Sequence, residues 1–286
     1  MTKNKNLYFF SYSYWDTVPV LLGLVHFSYV LTMLYLFNYL PWWANILTGL
    51  FYAFSISWNV NSVSHNFIHN AYFKSGKLNR LFSLLESVTL GFSQTMYDHV
   101  HRQHHIGNND RVGENGETVD WISIFQHGKN GMPENVIKYS FLSFFRDDPK
   151  RIYQGIKRLN PFLAKFSIFE LSLIFVLISL IFLMNWKLGI FFMIFHYLGH
   201  SLTAMNGYYE HFGANPDKPI AWGVSCYNPL FNLLWLNNGY HAEHHYRPKL
   251  HWKQMKLLHQ SIKTKQEEAM VRVISWPHQL GFLQSK

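Results

Sequence analysis

Eight histidines stand in three tight clusters of this 286-residue chain: His65 and His69; His101, His104 and His105; and His241, His244 and His245. The last two clusters share the spacing His-x-x-His-His, a repetition that packing alone does not require. A neutral imidazole nitrogen is the commonest protein ligand to metals, and residues three and four apart on a helix share one face. Each cluster can therefore aim several nitrogens at one point. The set exceeds the four ligands of a structural zinc, and with Cys226 as the single thiol it excludes an iron–sulfur cluster. A nitrogen-rich, nearly sulfur-free shell of this size suits two iron ions better than any other common pair.

Further residues gather around the clusters. His211 follows a long apolar stretch by a few residues and is a candidate ninth ligand. Metal-bound histidines usually donate their second ring nitrogen to a carboxylate or carbonyl, so Asp98, Asn206, Glu210 and Glu243 are candidates to support the ligands from behind. His99 breaks the repeated spacing and reads as a supporting or structural residue. His196 and His200 lie inside an apolar stretch, four apart, and read as a polar contact between helices.

The elements that must carry these residues are membrane spans. Only 14% of the chain is charged while 18% is aromatic, and the apolar residues fall in blocks, the pattern of spanning helices. Four blocks approach the ~20 residues that ~30 Å of hydrocarbon requires: 18–40, 42–60, 166–184 and 188–208. They pair as two hairpins, one turning near Pro41, Trp42 and Trp43, the other at Asn185-Trp186-Lys187, and both turns are expected on the same side. Of the 25 basic residues, only Lys187 falls in a turn on that side. By the positive-inside rule, both termini, all three clusters and a polar cap of residues 61–165 and 209–286 lie on the cytoplasmic side. The expectation is thus one all-α, multi-pass membrane domain over residues 1–286, with the metal site in a cytoplasmic helical cap.

The net charge of +9 is placed to meet an anionic membrane surface or an acidic protein, not nucleic acid. Met1–Asn6 carries two lysines ahead of an apolar run, but the run is too long for a signal peptide and no small-residue cleavage site follows, so a retained anchor is expected. Residues 81–96 are apolar enough to consider as a fifth span. They contain Glu86, and a helix lying in the interface costs less than a buried unpaired glutamate. No repeat, low-complexity tract or glycine-rich phosphate loop is present.

The three histidine boxes, with two spanning hairpins between them, resemble the membrane-bound fatty acid desaturase and hydroxylase superfamily over residues 15 to 260. The stretch Gly239–Pro248 is similar to the last box of acyl and sphingolipid desaturases, whereas Asn206–Gly213 is similar to a segment of the membrane alkane monooxygenases. The second box, with two residues before its His-His pair, follows the desaturases, and Asn66 stands where the alkane enzymes usually carry Glu. The resemblance implies a di-iron centre that uses O2 to attack C–H bonds of a lipid acyl chain, with desaturation as the expected outcome and hydroxylation of a lipid or alkane as the alternative. It implies no catalytic residue beyond the metal ligands.

The chain shows no haem domain, cluster-binding cysteines or dinucleotide fingerprint of its own. Electrons are therefore expected from a separate donor, a ferredoxin or small haem protein with its reductase. Lys249, Lys253 and Lys256, just past the third box, would suit an acidic donor or anionic headgroups equally. A histidine-rich metal transporter is the rival class, but transport sites lie near the bilayer midplane, and these boxes sit at span ends.

Overall fold

The computed structural model describes residues 7–284, so the N-terminal lysine segment Met1–Asn6 lies outside the described residues. Twelve α-helices follow one another, and among the described residues there is no β-strand. They are α1 (Thr17–Leu36), α2 (Trp42–Asn59), α3 (His65–His69), α4 (Gly76–Leu90), α5 (Gln94–Gly107), α6 (Val136–Leu142), α7 (Pro149–Leu159), α8 (Pro161–Met184), α9 (Trp186–His211), α10 (Pro229–Leu234), α11 (His241–Tyr246) and α12 (Met255–Glu268). The chain divides into two compact units. Among the described residues one, here the apolar unit, comprises residues 7–99 and Asp147–Leu202; the other, the histidine unit, comprises Val100–Arg146 and residues 203–284.

Among the described residues three helices are long and apolar enough to cross a membrane: Tyr14–Leu36, which includes the 3-10 turn ahead of α1, and α8 and α9. They start or stop where the local chemistry dictates. Asn160 caps α8 by accepting from the N–H groups of Phe162 and Leu163, and Pro161 sits at the first helical position, where a missing N–H costs nothing. Asn185 ends α8 and caps α9 through Lys187 and Leu188. The expected second span is the helix α2, 18 residues long, but Asn45, Thr48, Ser55, Ser57 and Asn59 leave it outside the apolar set. Asn185 Nδ2 donates to Asn38 Oδ1 at 2.9 Å, so both turns lie at one end of the apolar unit.

The apolar unit buries polar groups beside an apolar core and turns many apolar side chains outward. On α1 the buried stripe is Pro19, Gly23, His26, Val30 and Met33, while Leu21, Val25 and Leu31 point outward more than half exposed. On α8, Ser167 and Glu170 are fully buried, whereas Leu183 and Met184 are each 82% exposed. Two of the unit's buried polar groups are well paired: Glu170 accepts from Ser83 Oγ at 2.6 Å, Ser93 Oγ at 2.5 Å and the Thr95 N–H at 3.2 Å, and His26 bonds Ser55 and Asn59 at 2.9 Å each. Val30, Met33, Tyr52, Ile56, Leu90 and Phe192 form its apolar core.

Residues 81–96 do not form one helix. Gly91, at φ 70°, closes α4 in the left-handed region that glycine tolerates, and α5 begins three residues later. Within the polar region expected between the second and third spans, Val136–Phe145 is a short apolar helix whose Tyr139 packs with Ile124 and Tyr208 in the core of the histidine unit.

Candidate metal centre

The second and third boxes lie on two short stretches of helix in the histidine unit. On α5, His101 and His105 are one full turn apart and His104 is rotated off their line. On α11, His241 and His245 share a line and His244 is rotated off it. The geometry divides each box accordingly. His104, His211, His241 and His245 are all buried and place one ring nitrogen each within 4.8 Å of the others. His101, His105 and His244 form a separate group with the same closeness, the Nε2 atom of His105 lying 3.0 Å from that of His101 and 3.0 Å from that of His244.

The four-histidine group is prepared for a cation by the atoms behind it. His104 Nδ1 is 2.6 Å from Asp120 Oδ2, His211 Nδ1 is 3.0 Å from the Trp222 carbonyl, and His245 Nδ1 is 2.9 Å from the Asn108 amide oxygen. These oxygens only accept, so each Nδ1 carries the proton and each Nε2 presents a lone pair. The Nε2 atoms of His104 and His245 are nonetheless 3.2 Å apart, and those of His241 and His211 3.1 Å. Between His104 and His245 two bare lone pairs converge and repel one another, and a metal ion between them would turn the repulsion into ligation. Burial, then the neighbouring imidazoles, hold His245 well below the usual histidine range. The ring is therefore neutral, the form that binds metal.

The remaining predicted residues fall at several places. His65 and His69 belong to the apolar unit, where their rings meet edge to face at 5.1 Å. A five-residue π turn, Val60–Ser64, joins α2 to them, a device that recurs at functional sites, and Tyr72 Oη donates to the Val63 carbonyl within it at 2.7 Å. His99 is buried against Gly155 in the same unit, and Asp98 is half-buried one residue before it. Glu210 stands 3.7 Å from His241 Nδ1 and accepts from Asn238 at 2.6 Å. Asn206 is buried one turn before it on α9.

Glu243 points away from the imidazoles of its own box. It accepts from Ser225 at 2.8 Å, Tyr227 at 2.8 Å and His259 at 2.7 Å, and so ties α11 to α12. His196 and His200 make the polar helix contacts expected of them, to Tyr52 Oη at 3.4 Å and to the Leu90 carbonyl at 2.9 Å. The supporting oxygens that sequence reasoning missed are those of Asp120, Asn108 and Trp222. Asn108 stands three residues after the second box in a Gly-Asn-Asn-Asp turn, a visible signal; Asp120 is brought in by a loop, and the Trp222 group is backbone.

Among the described residues the fold is all-helical, with apolar helices of span length and buried imidazoles in sets that could hold a metal ion. The sequence model of the family described as Fatty acid desaturase matches residues 41–276. The chain belongs to that family. It is 26% identical over 216 residues to a protein of Oryza sativa subsp. japonica described as "Sphingolipid delta(4)-desaturase DES1-like", covering 73% of this chain and 61% of that one. Against the sphingolipid delta(4)-desaturase of Schizosaccharomyces pombe it is 24% identical over 250 residues, 82% of this chain and 66% of the other. The chain thus spans three fifths to two thirds of the curated relatives it matches. No solved structure matches it.

Proposed function

We propose that this protein is a membrane-bound, O2-dependent desaturase of a lipid acyl chain. The observation that carries the reading is the division of the second and third boxes into two imidazole sets, supported by desaturase relatives whose names specify a sphingolipid substrate. The nine histidines His65, His69, His101, His104, His105, His211, His241, His244 and His245 would hold two iron ions within one membrane domain. When bound, such a pair supplies the oxidising power for cleaving unactivated C–H bonds from O2 and electrons. The imidazoles contribute neutral donors, with their Nδ1 protons held by Asp120, Asn108 and the Trp222 carbonyl.

Four helices, α1, α2, α8 and α9, would span the bilayer as two hairpins, with the histidines on the cytoplasmic side. Electrons would arrive from a separate acidic ferredoxin or small haem protein, which the exposed Lys249, Lys253 and Lys256 suit in charge. Which product forms depends on how the chain is held against the oxidant, so product analysis is the test. The purified lipids of a host expressing the protein, analysed by mass spectrometry, should contain a species lighter by two hydrogens than the host's own. A species heavier by one oxygen atom would make it a hydroxylase, and unchanged lipids across a broad pool, from membrane shown to contain iron-loaded protein, would overturn the reading.

A further inference from the structure

Helix α5 ends at Gly107, and the next two residues, Asn108 and Asn109, take φ of 49° and 59°, the left-handed region that asparagine tolerates best after glycine. The chain then doubles back, and Asp120 settles against Gly107, where a β-carbon would strike its backbone. Asp120 is fully buried. Its Oδ2 accepts from the Asn109 N–H at 2.9 Å and faces His104 Nδ1 at 2.6 Å; its Oδ1 accepts from the Ile122 N–H at 2.9 Å. Its own N–H donates to Asp110 Oδ1 at 2.9 Å, and Thr118 Oγ1 donates to its carbonyl at 2.6 Å. Every polar group of the residue is held, which is more than closing a loop needs.

We propose that Asp120 is a positioning residue of the metal centre, acting through His104. A buried carboxylate must be paired, and the short charge-assisted contact fixes the proton of His104 on Nδ1, aims Nε2 into the four-histidine set and strengthens it as a donor. Losing such an outer partner typically weakens metal binding by ~10–100-fold. The inference rests on the proposed metal centre.

The test uses the full chain in detergent micelles loaded with Fe(II). Asp120→Asn removes the anion from His104 and keeps one oxygen, enough for only one of the two backbone donors, Asn109 N–H on Oδ2 and Ile122 N–H on Oδ1. It should release iron to a chelator roughly 10–100-fold faster than the parent and show a more positive iron midpoint potential, since the reduced ion needs less donor strength. Its melting temperature should fall, because one buried donor loses its acceptor, so release and potential are read well below that temperature, where the variant is folded. Asp120→Glu, which retains the charge on a longer arm, should release iron at an intermediate rate, and it carries the test alone if the Asn variant does not fold. Parental release rate and potential in the folded variants overturn the role of Asp120 while leaving the metal centre standing. A parent chain that retains no iron overturns the metal centre, and this inference with it.

Discussion

A step of three and a step of four within His-x-x-His-His send side chains to different places. In the second box, His101 and His105 go to one imidazole set and His104 to the other; in the third box, His241 and His245 pair while His244 departs. Replacing His104 or His244 by Ala should therefore empty different positions, each variant losing about half of the bound iron and all turnover while still inserting in the membrane. His211 closes the first set at 3.1 Å from His241, whereas His200 is engaged by the Leu90 carbonyl. Iron analysis of purified His211→Ala should accordingly show a loss that His200→Ala does not, the latter lowering melting temperature instead. Iron lost from His200→Ala and kept by His211→Ala would reverse the assignment.

At the scale of elements, α4 packs against α1 and α8 with polar groups buried between them. Glu86 on α4 is fully buried and lies against Gly23 of α1, which has no side chain to occupy the space. Burial pushes its carboxyl from an ordinary value near 4.5 up to about 8, against the lowering influence of Asn59. Across that window the unfolded chain has released a proton that the folded chain keeps, so stability falls as pH rises from the ordinary carboxylate range towards 8. Glu86→Gln removes the titration. Thermal unfolding in detergent should show the variant melting several degrees above the parent at pH 8 and level with it near pH 4.5. A variant less stable than the parent at both values would mean that the carboxyl is ionised and paired in the fold.

For the whole molecule, the proposed topology makes a prediction that composition alone cannot meet. The turns at Asn38 and Asn185 share one end of the apolar unit, and Lys187 is the single basic residue there. Because the native Cys226 is buried, thiol labelling of introduced cysteines starts from a low background. A cysteine at Asn185 should react with a membrane-impermeant reagent applied from outside intact cells, while cysteines at Asn130 and Gln260 should react only after permeabilisation. Outside reaction at Asn130 would place the segment after α5 across the membrane from the position proposed.

Much of this was legible in one dimension. Box spacing, apolar blocks and basic flanks are local patterns, and a helix converts local spacing into a common face by its own geometry, so the all-α class, the family and the clustering of histidines could be read without a structure. The break at Gly91 divides the helix expected over residues 81–96. The second apolar block was less clear because its length is that of a span while its asparagines and serines are not. What only the tertiary structure decided is which histidines meet and what stands behind them. His104 lies 141 positions from His245, yet their Nε2 atoms are 3.2 Å apart, and Asp120 stands behind His104 because the loop after Gly107 folds onto α5, while Glu243 faces Ser225, Tyr227 and His259. Adjacent residues on a helix point in different directions, so closeness in sequence to a ligand does not make a residue its partner; the return path of the chain does.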